Sequence, residues 1–112
     1  MYRIILTKFF KKQLKRLLKK DPGLKNNLIN TLLNFNREAA VSVGHEIYKT
    51  RLCGQNTGKS GGYRVYVFIV EINKILTPIA IYSKSEKENL VSEEMSGHLE
   101  KVKAELSGLL HL

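Results

Sequence analysis

The 112-residue chain has one cysteine, two prolines and no tryptophan, and its first twenty residues hold no acid at all. With Cys53 as the lone thiol, an intramolecular disulfide, a zinc ribbon and a CxxC redox motif are all excluded, which fits a reducing cytoplasm. No apolar run approaches the roughly 18 residues needed to cross a bilayer, so no membrane partner is expected. The apolar start MYRIILTKFF precedes its cations instead of following them and lacks a small-residue cleavage site, so no export signal is expected either. HExxH, GxxxxGK[ST], GxSxG and GxGxxG are all missing, which removes the common metalloprotease, nucleotide-binding and hydrolase signatures. The histidines stand far apart at His45, His98 and His111, and Glu46 and Glu71 are isolated, so neither a metal site nor a cofactor is expected.

Positive charge is what the chain does have. Nineteen Lys and Arg face ten Asp and Glu, a net +9, and the excess is uneven. Residues 1–20 carry eight cations, whereas residues 85–112 carry three cations against six acids. A basic body with an acidic C-terminal segment points to a polyanionic partner, with nucleic acid first among the candidates. Lysine-rich helices are also commonly just solvated faces.

The hydrophobic pattern predicts an α+β fold in the order β, α, α, β, β, β, α. Tyr2–Leu6 reads as an opening strand. From Lys8 to Lys20, Phe10, Leu14, Leu17 and Leu18 make one apolar stripe, with Thr7 as N-cap. Asp21 and Pro22 are expected to open a second helix through Leu24, Leu28, Leu32 and Phe35, giving an N-terminal helical hairpin. His45–Leu52, Tyr63–Ile72 and Ile75–Tyr82 read as strands of a small antiparallel-rich sheet, with Pro78 marking an edge or a bulge. A final helix is predicted over Ser92–Leu106, carried by Met95, Leu99, Val102 and Leu106. Residues 1–112 make one domain on this reading, with one helical layer and an opposite sheet face left partly open.

Strand parity then groups the cations. Lys49 and Arg51 lie two apart on one strand and share a face, as do Arg64 and Tyr66 on the next. Lys59 in the glycine-rich loop and Lys84 after the last strand are their expected neighbours. Convergent Arg and Lys suit a phosphodiester, because Arg grips phosphate oxygens bidentately and both offset negative charge in a transition state. Tyr66 or Tyr82 can stack on an unpaired base or orient an attacking 2′-hydroxyl. Such cations also serve plain solubility and edge protection.

YKTRL at 48–52, GKSGGYRVYVF at 58–68 and IAIYSKSEKENL at 79–90, in this element order, resemble the RelE/ParE toxin superfamily, and within it the HigB-like branch. The resemblance covers nearly the whole chain. It implies the toxin of a type II toxin–antitoxin system, a ribosome-dependent endoribonuclease that cuts mRNA in the ribosomal A site without a metal, by attack of a ribose 2′-hydroxyl on the adjacent phosphate. Carried over by position, Arg64 contacts the scissile phosphate, Lys49 and Arg51 supply transition-state stabilisation, and Lys84 serves the leaving oxygen. RelE-type sequences carry a C-terminal tyrosine that orients or activates the nucleophile, and none follows Lys84 here, so Tyr82 or a lysine is the expected substitute. The implied partners are the ribosome, mRNA and a helix-turn-helix antitoxin, with operator DNA reached only through that antitoxin. Two alternatives stand beside this reading: a ParE-like gyrase poison, and a non-catalytic nucleic-acid-binding protein acting through the basic helix at 8–20.

Overall fold

The computed structural model describes residues 1–52, 62–87 and 89–110. Cys53, Lys59 and glycines 54, 58 and 61 of the glycine-rich segment lie outside the described residues. The elements run β1 (Arg3–Ile4), α1 (Lys8–Leu18), α2 (Leu24–Leu33), β2 (Val41–Gly44), β3 (Ile47–Leu52), β4 (Tyr63–Val70), β5 (Ile75–Ser83) and α3 (Ser92–Leu110). The five strands form one sheet in the order β1-β5-β4-β3-β2, with β1 parallel to β5 and the other pairs antiparallel. The α+β layout read from the pattern is the one observed.

Local chemistry explains the boundaries. Thr7 is the N-cap of α1, its side chain accepting a hydrogen bond from the Phe10 N–H at 3.2 Å, and Phe10, Leu14 and Leu17 are buried beneath an outer row of lysines. Asp21 does not cap α2, contrary to expectation: Gly23 takes that place without a side-chain bond. The Asp21 carboxylate is instead buried and accepts from the Tyr63 hydroxyl at 3.3 Å, tying the turn between the helices to β4.

The strand expected from His45 begins at Ile47, and a further strand that the pattern did not announce, β2, precedes it. β2 and β3 are joined at His45 and Glu46, both with positive φ (54° and 64°). Two-residue hairpins need that left-handed backbone, and His-Glu lacks the Asn-Gly signal that announces it. Tyr63–Ile72 also ends early: Glu71–Asn73 form a short 3₁₀ turn, with Lys74 left-handed at φ 53°. Pro78 marks both features foreseen for it. The β4–β5 register slips there, pairing Tyr66 with Ala80 but Val67 with Pro78, and β1 pairs only with Ile75 and Leu76, leaving the rest of β5 an edge.

Both faces of the sheet are covered. Val65, Val67 and Ile69 of β4 alternate inward with Phe10, Leu14, Leu24 and Leu28 of the helical hairpin. Tyr66 and Phe68 point the other way and pack with Leu90, Val102 and Leu106. The single helical layer of the sequence reading is thus corrected: α3 lies on the opposite face, because its apolar stripe has the β3–β5 side chains of that face to bury against. At the Arg51–Arg64 end of the same face Arg51 is exposed and Arg64 half-buried.

Candidate functional site

Register places the cations. Arg51 of β3 lies directly opposite Arg64 of β4, which in turn lies opposite Tyr82 of β5. One step along the same face, Lys49 is opposite Tyr66 and Tyr66 opposite Ala80. The Lys84 N–H donates to the Gly62 carbonyl at 2.9 Å, which sets Lys84 at the level of the β4 entrance, next to the Arg64–Tyr82 row. Gly62 itself has φ +153°, and a Cβ there would come within 3.2 Å of the Leu52 carbonyl oxygen, so only glycine lets the chain enter β4 this close to β3.

Like charges directly opposite across a strand pair destabilise it, by several tenths of a kcal/mol on the scale of such pairs. Among the described residues, no carboxylate forms an ion pair with Lys49, Arg51, Arg64 or Lys84. Arg51 is exposed, and Lys49, Arg64 and Lys84 are half-buried. The sheet therefore tolerates a cationic cluster without neutralising it, and that cluster is a ready place for an external anion. Lys49 is held in the cluster by a hydrogen bond from Nζ to Asn89 Oδ1 at 2.7 Å, a partner the sequence reading missed because Asn89 lies forty residues away.

The two tyrosines have a different environment from the one expected. Tyr66 is 1% exposed and Tyr82 4%, so neither presents its ring to an incoming base in this arrangement. Their rings stack at 6.1 Å, and the Tyr82 hydroxyl donates to the Tyr66 hydroxyl at 3.4 Å. The Tyr66 hydroxyl also accepts from the Leu90 N–H at 3.2 Å, pinning the segment before α3 onto the sheet. Burial, then the hydrogen bond to Tyr66, pushes the Tyr82 phenol far above its ordinary pKa, although the Arg64 charge pulls the other way. Near neutral pH that phenol keeps its proton, so it is suited to support and not to proton abstraction. Lys87 stands over the Tyr82 ring at 5.7 Å and is salt-bridged to Glu94 at 3.0 Å, a bond that holds the Glu94 carboxyl below the usual carboxylate range.

Among the described residues no group of three His, Cys, Asp or Glu side chains is placed to hold a metal ion, and no helix is long and apolar enough to cross a membrane.

The family model of the RelE toxin of the RelE/RelB toxin–antitoxin system matches residues 2–109. The chain belongs to the RelE toxin family. Membership implies a cognate antitoxin as partner. Among solved structures the chain is similar to a double arginine-to-alanine mutant of E. coli toxin RelE in the free state, with a TM-score of 0.56 and 16% identity over 90% of this chain and 97% of that one. At that identity the likeness speaks for the fold. No curated protein sequence matches the chain.

Proposed function

We propose that this RelE-family toxin is an endoribonuclease that cuts mRNA in the ribosomal A site, without a metal, and so stops translation. The observation that carries the proposal is the Arg51–Arg64 pairing across β3 and β4, with Lys49 and Lys84 beside it and no carboxylate among the described residues to neutralise it. Within the family we assign the chain to the HigB-like branch, on its longer loop and terminal helix after Lys84.

In the proposed reaction the ribose 2′-hydroxyl loses its proton and its oxygen attacks the adjacent phosphorus. The bond from phosphorus to the 5′-oxygen breaks, and that oxygen takes up a proton, leaving a 2′,3′-cyclic phosphate and a 5′-hydroxyl. Arg64 grips the non-bridging oxygens, and Arg51 offsets the charge that builds on them. Lys84 gives the proton to the leaving oxygen. Lys49, held by Asn89 and carrying its charge, joins Arg51 in offsetting the charge on the phosphate, and the 2′-hydroxyl proton passes to solvent. Tyr66 and Tyr82 form the floor that fixes the Arg64 strand against α3, and Lys59 is assigned to RNA binding from its place in the glycine-rich segment.

Mapping both new ends of a defined mRNA, with and without ribosomes, tests this. Cuts that need the ribosome and leave 5′-hydroxyl ends support it. Uncut mRNA with DNA damage in its place would replace it with gyrase poisoning.

A further inference from the structure

Tyr82 and Leu90 are buried, but no described residue between them is, so the stretch that carries Lys84 has no apolar side chain in the core to fix it. Its backbone is shaped locally instead. The Glu86 N–H donates to the Ser83 carbonyl at 2.9 Å and the Ser85 N–H to Ser83 Oγ at 3.3 Å, which makes Ser83–Glu86 a turn with Lys84 at its second position. The Lys84 N–H reaches the Gly62 carbonyl at 2.9 Å, so the start of the turn is anchored to the sheet.

The end of the turn is anchored by charge. The ion pairs among the described residues fall in two places, around Glu71 and on Glu86 and Lys87. Glu86 pairs with Arg16 of α1 at 3.4 Å, and Lys87, the next residue, pairs with Glu94 of α3 at 3.0 Å. Consecutive residues are thus tied to different helices, and all four side chains line one small cavity of about 180 Å³ together with Tyr82. Lys87 also stands over the ring of Tyr82, the residue opposite Arg64, which sets the turn against the row of the facing arginines. The two helices are themselves joined: the oxygens of Glu105 in α3 accept from the Lys8 and Phe9 N–H groups of α1 at 2.8 Å and 2.9 Å.

Exposed ion pairs contribute little to global stability. On a short turn without packing of its own they act differently, by selecting one among the positions that the turn would otherwise sample. A reacting group carried on a loop needs such support to keep its geometry. We infer that the Arg16–Glu86 and Lys87–Glu94 pairs are positioning contacts that aim Lys84 at the leaving 5′-oxygen. The inference rests on the ribonuclease reading and deepens it by naming what holds the general acid.

The test compares single-turnover cleavage of ribosome-bound mRNA by the unmodified chain, by Glu86→Gln with Glu94→Gln, and by the same two changes in a Lys84→Ala background. A misplaced general acid forfeits part of the roughly 10²–10⁴-fold it can contribute, so the variant with Lys84 present should cut about tenfold more slowly. Both changes remove an acid, so the ribosome concentration at half-saturation should not rise. In the Lys84→Ala background the same changes should slow the cut by less than about twofold, since no acid is left to aim. Charge reversal is the second arm: Glu86→Arg should slow cleavage, and adding Arg16→Glu should restore it to within about threefold of the unmodified rate. An equal loss with and without Lys84 would make the pairs general supports of the fold and overturn the inference. Variants that cut at the unmodified rate, or a reversed pair that restores nothing, overturn it too. If the unmodified chain itself leaves ribosome-bound mRNA uncut, the ribonuclease reading falls and the inference falls with it.

Discussion

Gln13 of α1 pairs with the open edge of β5 as a strand would: its Oε1 accepts from the Ile81 N–H at 3.1 Å, and its Nε2 donates to the Ile79 carbonyl at 3.0 Å. The pairing of β1 along β5 ends at Leu76, so without this side chain two backbone groups of β5 lose their partners. Leaving such groups unsatisfied costs about 1–3 kcal/mol. Gln13→Leu keeps the bulk and removes both bonds, and urea denaturation should show a loss of that size with the slope unchanged. A midpoint equal to that of the unmodified chain would show that the pairing contributes nothing.

Glu71 is bonded to three side chains: Lys74 Nζ at 2.6 Å, the Tyr2 hydroxyl at 2.9 Å and Arg37 at 2.9 Å. The Lys74 bond first, then the Tyr2 bond, holds its carboxyl below the usual carboxylate range. A carboxylate with a folded pKa below its unfolded one stabilises above the unfolded value, and that stability is lost as pH falls through the folded one. The stability lost as pH falls below the ordinary carboxylate range should therefore be smaller in Glu71→Gln than in the unmodified chain. Superimposable acid limbs would refute the assignment. Lys74 behaves in the opposite sense: its raised pKa gives stability that is present below its unfolded value and disappears as pH rises through the folded one.

The Glu105 contact with α1 should be measurable in the same way. Glu105→Ala exposes two N–H groups at a helix start, a change that costs about 1 kcal/mol at typical caps. Thermal unfolding should shift down by roughly 4–8 °C for a domain near this size. An unmoved Tm would mean that solvent replaces the carboxylate without cost.

Tyr66 and Tyr82 separate support from proton transfer. Tyr66→Phe strands the buried Leu90 N–H and should destabilise the fold by about 1–3 kcal/mol. Tyr82→Phe removes the weaker 3.4 Å bond to Tyr66 and should keep cleavage within about tenfold, with its pH profile unmoved, because general-base loss typically costs 10²–10⁴-fold. A loss of 10² or more, with the fold intact, would restore Tyr82 to the chemistry.

Much of this architecture was legible because it is written at short range. The stripe Phe10, Leu14, Leu17 predicts its helix by spacing alone, and the parity of Lys49 with Arg51 predicts a shared face, which the β3–β4 register bears out. What escaped depends on distant partners. His45–Glu46 carries no turn signature, yet the strands it joins force its backbone positive. Tyr66 has the alternation of an open-face residue, but the segment before α3 folds onto it. Asp21 looks like an N-cap until Tyr63, 42 residues on, takes its carboxylate. Lys59 lies outside the described residues, so its assignment rests on sequence alone.

The most direct measurement is the single-turnover cleavage rate of ribosome-bound mRNA by Arg64→Ala and Arg51→Ala, each verified as folded and antitoxin-binding. Removing a preorganised cation from a developing phosphorane charge should slow the cut by about 10²–10³-fold in each. Rates within threefold of the unmodified toxin would contradict the claim that these facing arginines hold and neutralise the reacting phosphate.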